Sequence, residues 1–324
     1  MCTILLGIKN EIHNEQVVLI SNMTMFIDES LLRGELRQQE PMSRHTSWKT
    51  GGNAEYFYIA ADIDDLSEFL SNLPNEIKVT WVGLGSNLLV RDSGLNGVVV
   101  SVVGVLNEID LINEKNIKIG AGVTCAKASR FAAKQGLSGI EFLASIPGSV
   151  GGALAMNAGA YGGETWRQVT NVETINRNGE IKQYHREDFE TGYRSVSLVD
   201  DEWFISCTLE LNKSVREEIE QNMKNILTER AEAQPLGQHS CGSVFRNPDN
   251  DHAARLIEVS GLKGKQIGGA VVSEKHANFI INSGNASSSD IESLIELVQQ
   301  TVFEEHGIKL IPEVRVIGDK GGVQ

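Results

Sequence analysis

The chain has 324 residues, with 43 acidic against 29 basic side chains and a formal charge of −14, and its length suits about two packed domains. That acidic excess repels a polyanionic backbone and argues against nucleic acid as a partner, while leaving room for a local basic pocket that takes a small anion. Cys2, Cys125, Cys207 and Cys241 are widely scattered with no C-x-x-C pair, so free thiols in a reducing compartment are expected rather than a disulfide framework or zinc knuckle.

The opening MCTILLGIKNEIHNEQVVLI is interrupted by Lys9, Glu11 and Glu15. It lacks a secretory apolar region, and no window of about eighteen apolar residues occurs, so a cytoplasmic protein without membrane contact is expected. Residues 1–24 read either as a loose extension or as the product of an upstream start, because Met23 and Met25 precede more regular sequence. AEYFYIA, DIDDLSEFLSNLP and KVTWVG then read strand, helix, strand, with Ile63, Leu66, Phe69 and Leu70 on one helix face. GVVVSVV and NIKIGAGV are β-branched runs; TCAKASRFAAKQGL is a helix that Thr124 caps and Gly136 ends. Ser145–Glu164 is too glycine-rich to be helical throughout. VTNVETINRNGEIKQYHR is a hairpin whose Asn178-Gly179 pair is expected to supply two positive φ angles, and EWFISCTLELN is a strand.

A domain boundary is expected near Asn212, ahead of a helix with Val215, Ile219, Met223, Ile226 and Leu227 at helical spacing. The last hundred or so residues read as a short helix at DHAARLIEV, strands at GAVVS and NFIIN, a helix opened by a Ser289-x-x-Glu292 capping box, and a closing strand, IKLIPEVRVIG. Strands come as hairpins and pairs more often than as βαβ units, which favours an α+β fold.

Several segments can carry chemistry. Gly83-Leu84-Gly85-Ser86-Asn87 can cradle an anion through backbone N–H groups or be a plain turn; Leu88 stands where a Rossmann fingerprint needs its third glycine, and no Gly-Lys-Ser/Thr follows. The segment with Gly148, Gly151, Gly152, Gly159, Gly162 and Gly163 interleaves Ile146, Val150, Leu154 and Met156, which favours a backbone wrapped on a flat or phosphorylated ligand over a mobile loop. In SCGSVFRNP, Phe245 replaces the second glycine of a nucleophile elbow, so Ser243 is not a hydrolase serine by pattern. Arg194 can grip a carboxylate or phosphate, or be a surface ion-pair partner. Glu313 and Arg315 lie in an apolar run, on one side by the two-residue strand period, facing either solvent or a site. The seven histidines show no ligand spacing, so no catalytic metal is expected.

In order, TSWKTGG, GLGSNLLV, IPGSVGGALAMNAGAYGGE, YRSV, CGSVFRNP and IPEVRVIG resemble the UDP-N-acetylenolpyruvoylglucosamine reductase family, from about Met25 to Gly318. The resemblance implies an FAD-binding fold of the vanillyl-alcohol-oxidase type: two α+β lobes, 25–93 (rejoined by 315–324) and 94–212, and a substrate-binding module, 213–314. It implies NADPH-dependent, FAD-mediated reduction of UDP-N-acetylglucosamine enolpyruvate, with Arg194 at the carboxylate, Glu313 beside it and Ser243 as proton donor. Glu313 is expected to be protonated, or compensated by Arg194 or Arg315. Gly83, Gly85, Ser86, Asn87 and Leu88 would meet the FAD pyrophosphate, and Pro147, Gly148, Gly151, Gly152, Gly159 and Arg315 the rest of the flavin site. Tyr161 and Asn247 match nucleotide-sugar contacts, and Arg230 matches a diphosphate or flavin contact. The stretch from Gly192 to Ser243 is too short for the tyrosine-bearing insertion of the longer family form, and AEAQPL holds no lysine where that form has one. A monomer is expected. A flavin oxidase tethering FAD through His or Cys is disfavoured, because neither occurs between Ser145 and Glu164. A non-catalytic nucleotide-sugar binder would be colourless.

Overall fold

The computed structural model describes residues 32–198 and 200–319; the expectations for residues 1–24 and Cys2 lie outside them. Strand β1 (Glu35–Pro41) pairs antiparallel with β2 (Asn53–Ile59). Helix α1 (Ile63–Asn72) begins at Asp62, whose carboxylate accepts the Asp65 N–H at 2.9 Å. It buries Leu66, Phe69 and Leu70 against Tyr58, Val98 and Val100, while Ile63 is only partly covered. After β3 (Val79–Val82) and β4 (Leu88–Val90), β5 (Leu95–Ser101) inserts between β2 and β3, parallel to both.

The second lobe starts with β6 (Ile109–Leu111), β7 (Asn116–Gly120) and helix α2 (Cys125–Lys134), capped by Thr124 and followed by Gly136 at φ +68°. Helix α3 (Val150–Ala155) is the only helical turn-pair of the glycine-rich segment. Strands β8 (Val169–Asn176), β9 (Ile181–His185) and β12 (Glu202–Glu210), with the two-residue strands β10 (Thr191–Gly192) and β11 (Ser195–Val196) between, complete the lobe. Its antiparallel sheet runs β9-β8-β12-β7-β6 over a core containing Ile117, Phe142, Leu154, Trp166 and Phe204. The β8–β9 turn departs from expectation, since only Gly179 has a positive φ (+77°). Gly179 N–H bonds to Asn176 O and Asn176 N–H to Glu180 O, so three residues form the loop and one left-handed glycine is enough.

Helix α4 (Arg216–Ala233) buries Ile219, Met223 and Ile226 and leaves Val215 and Leu227 exposed. Ile219 and Met223 pack on Ala133 of α2. Helix α5 (Ala253–Val259), the antiparallel strands β13 (Ala270–Val272) and β14 (Ile280–Asn282), and helix α6 (Ser288–His306) follow. The capping box of α6 is Ser287 with Asp290, not Ser289 with Glu292. Ser289 instead donates to Asp92 at 2.6 Å, and Glu292 takes Arg91 in a two-pronged pair at 2.8 and 3.0 Å. The expected closing strand shrinks to β15 (Arg315–Ile317), parallel to β4. Ahead of it Pro312, which has no N–H to donate, makes only an isolated bridge to Phe245.

The core of this third module includes Trp48 and Leu89 of the first lobe. Trp48 Nε1 donates to Ile280 O and Asn282 Nδ2 to Trp48 O, both at 2.8 Å. Cys125, Cys207 and Cys241 are buried free thiols. Among the described residues no helix is long and apolar enough to cross a membrane.

Candidate active site

The turn after β3 is built for close approach. Gly85 sits at φ +63°, and a Cβ there would lie 1.8 Å from His45 O, so no other residue fits. Opposite it, Ser149 caps α3 by accepting the Gly152 N–H at 3.2 Å. Between the two walls lies a cleft of about 150 Å³, lined on one side by Gly83 to Leu88 and on the other by Gly148, Gly151 and Gly152, with Trp81 and Arg315 at its margins. The glycines differ in purpose. A Cβ on Gly151 would strike Ala121 Cβ at 2.9 Å, whereas one on Gly148 or Gly152 meets nothing nearer than 3.5 Å. Gly151 thus serves helix-on-sheet packing, and Gly148 and Gly152 leave bare backbone facing the cleft. Asn87 is committed to the protein: its Nδ2 donates to Glu313 O at 3.0 Å, and its carbonyl accepts the Arg315 N–H at 3.0 Å.

A larger cleft of about 470 Å³ shares Ser86, Asn87, Ile146 and Met156 with the first. Arg194, Ser243, Glu313, Arg230, Pro147 and Gly159 line it. Arg194 sits in the turn joining β10 to β11 at φ +55°. Its Nε donates to Glu313 Oε1 at 2.8 Å and its Nη2 to Gly159 O at 2.7 Å, with the Tyr193 ring 5.0 Å from the guanidinium carbon. Both side chains are largely covered, 16% and 12% exposed. Burial pushes the Glu313 carboxyl above its ordinary value, opposed by the charges of Arg194 and Arg246 and by the Arg194 hydrogen bond. Ser243 enters the same wall because Val244 is held from both sides: its N–H bonds to Asn278 O, and its carbonyl accepts the Glu313 N–H at 2.7 Å.

Other expected residues fall elsewhere. Arg315 reaches toward Ala155 O at 3.4 Å in the glycine-lined cleft, so the partner of Glu313 is Arg194. Arg230 is on the wall of the larger cleft, its guanidinium pKa lowered by burial. Tyr161 is 40% exposed and lines a neighbouring depression with Glu229 of α4, near enough to Arg230 to feel its charge. Asn247 is exposed and its Oδ1 accepts the Ala253 N–H at 3.1 Å, holding the start of α5. His45, Lys49, Gln238 and Phe279 join the lining of the larger cleft, and Arg246 lies behind it; none was singled out by pattern. An arginine directly after the apolar Val244-Phe245 pair was the available signal for Arg246.

A model of an FAD-binding domain matches residues 54–184, and one of the UDP-N-acetylenolpyruvoylglucosamine reductase C-terminal domain matches 234–317. The chain is 53% identical over 288 residues to the UDP-N-acetylenolpyruvoylglucosamine reductase of Legionella pneumophila (strain Corby), which covers 89% of this chain and 94% of that one. It belongs to the UDP-N-acetylenolpyruvoylglucosamine reductase family. The reductase of Coxiella burnetii (strain Dugway 5J108-111) is 49% identical over 306 residues, covering 89% of this chain and 97% of its own. A solved reductase of this family, from Thermus caldophilus, superposes with a TM-score of 0.76 at 32% identity, over 88% of this chain and 99% of that one. The reductase's FAD-domain match holds both glycine walls, while Ser243 and Glu313 fall in the C-terminal match and Arg194 lies between the two.

Proposed function

We infer that the chain is an FAD- and NADPH-dependent reductase that converts UDP-N-acetylglucosamine enolpyruvate to UDP-N-acetylmuramate in peptidoglycan precursor synthesis. The observation that carries this reading is the Arg194–Glu313 pair beside Ser243, in a cleft sharing a wall with a glycine-lined one. The glycine walls suit FAD: a side chain at Gly85 would strike His45 O, one at Gly83 would displace the Ser149 hydroxyl that caps α3, and Gly148 and Gly152 put no side chain in the way of a flat, phosphorylated group. FAD held between these walls would supply the hydride chemistry, carrying reducing equivalents from NADPH to the enolpyruvyl methylene carbon. Negative charge then gathers on the neighbouring carbon and its carboxylate. Arg194, a charge-assisted donor aimed into the cleft, stabilises that charge. Glu313 steers and neutralises Arg194 in the resting site without adding a net negative charge of its own. Ser243 delivers the proton to carbon; a hydroxyl is a weak acid, but a carbanion-like centre is basic enough to take its proton.

Arg230 is our candidate for the diphosphate, with Tyr161 beside it toward the nucleotide. We also propose the shorter family form, since 192–243 has no room for the tyrosine insertion, together with a monomer in the cytoplasm. The modular division at 25–93, 94–212 and 213–314 is likewise proposed, with α4 lying against the second lobe. The decisive experiment follows flavin reoxidation by UDP-N-acetylglucosamine enolpyruvate in NADPH-reduced wild type and Ser243→Ala. A fall of about 10²–10⁴-fold in the variant, at unchanged flavin content, is expected; full reoxidation by the variant removes Ser243 as proton donor.

A further inference from the structure

The turn carrying Arg194 holds a residue type that its geometry disfavours. At the second position of a two-residue connection with positive φ, glycine is the ordinary occupant, yet this chain places arginine there at +55°. What holds it is behind the cleft wall. Arg246 Nη2 donates to the Arg194 carbonyl at 3.2 Å, and the Arg246 Nε is buried with no hydrogen-bond partner among the described residues. Burying a guanidinium with one N–H unsatisfied is unfavourable, and Arg246 lines neither cleft, so direct ligand contact does not account for it. Its charge acts on Glu313. The ionisable groups facing Glu313 are Arg194, Arg246 and the Cys241 thiol. With Glu313 ionised, two cations face one carboxylate, leaving a surplus positive charge inside a chain of formal charge −14.

We propose that Arg246 is a positioning residue for Arg194: it pins the strained turn through the Arg194 carbonyl and supplies the second cation that keeps the Arg194–Glu313 pair receptive to the substrate's anionic group. The inference rests on the reductase reading above. Its test uses the flavin-loaded enzyme with Arg246→Met and Arg246→Lys, each checked for flavin content and melting temperature. The measurement is the rate of flavin reoxidation by UDP-N-acetylglucosamine enolpyruvate as a function of pH. In Arg246→Met the rate at subsaturating substrate falls about tenfold and the Glu313-dependent inflection moves up by about one pH unit, because removing a cation makes ionisation harder. Arg246→Lys keeps the inflection in place and recovers most of the rate. An Arg246→Met enzyme with the wild-type rate and profile overturns the proposal, as does an Arg246→Lys profile shifted as far as that of Arg246→Met. Should Arg246→Met fail to hold flavin, Arg246→Gln carries the same comparison against Arg246→Lys. A wild-type enzyme whose flavin this compound does not reoxidise refutes the reductase reading, and this inference with it; a competent wild type that Arg246→Met matches refutes only the role of Arg246.

Discussion

At Glu313, loss of water and two guanidinium groups pull in opposite directions. The carboxyl ends above its ordinary value, yet its 2.8 Å contact with Arg194 means that an ionised Glu313 enters the reaction already neutralised. Glu313→Gln should therefore lose the pH inflection that Glu313 contributes and slow substrate-driven flavin reoxidation by about 100-fold. A pH–rate profile matching wild type in shape and height would exclude a catalytic role. The residue types were legible in the sequence, since an acid in the apolar IPEVRVI run has to face something polar. The partner was not. A continuous strand would put Glu313 and Arg315 on one side, but the β4–β15 ladder starts only at Arg315, and Glu313, outside it, turns to a residue 119 positions earlier. Asn87 was read for its backbone, and its side chain proves to be the tie to that same segment.

Among the elements, the GLGSN turn left an open choice between a plain turn and an anion cradle. Gly85 makes the turn by its positive φ, and its missing side chain lets that turn lie against His45 O. Gly85→Ala should cost about 3 kcal/mol, from backbone strain plus overpacking, and lower flavin content, measured by thermal melting and by the ratio of flavin to protein absorbance. Helix α6 shows where local pattern is ambiguous. Ser287-Ser288-Ser289-Asp290-Ile291-Glu292 contains two overlapping Ser-x-x-acid boxes, and lobe-one residues choose between them by engaging Ser289 and Glu292. Ser287→Ala should therefore destabilise by about 1 kcal/mol, and more than Ser289→Ala, by denaturant titration. Burial pushes the Asp92 carboxyl up, but hydrogen bonds from Ser289 and Ser288 outweigh it and hold the pKa below its ordinary value. The stability Asp92 contributes is then present above its unfolded pKa and lost as pH falls through the lower folded one. The melting-temperature gap between wild type and Asp92→Asn should be widest near neutrality and shrink as pH falls below the ordinary carboxylate range.

At the scale of the molecule, the α+β class could be read from periodicity, because strand and helix patterns are local. The sharing of cores could not. Trp48 and Leu89 complete the core of the C-terminal module, and the bonds of Trp48 to Ile280 and Asn282 span more than two hundred positions. A fragment of residues 234–317 should accordingly show no cooperative thermal transition by circular dichroism, although a family domain model matches that segment; a sharp transition would show that the module is self-sufficient. The second lobe meets the C-terminal module across the cleft through polar contacts such as Arg194–Glu313 and Arg246–Arg194, while away from the cleft Ile219 and Met223 of α4 pack on Ala133. The parallel pairing of β4 with β15, fastened by Arg91 to Gly318 across 227 positions, carries a kinetic corollary. As the chain leaves the ribosome, β4 emerges early and its ladder partner is the last described strand to be made, so the flavin-binding lobe waits, one edge open, for most of its synthesis. Loop closure over that distance makes late, non-local assembly the slow step, and substitutions that weaken β15 should show first as poor yield of flavin-loaded protein rather than as altered turnover of the molecules that do mature.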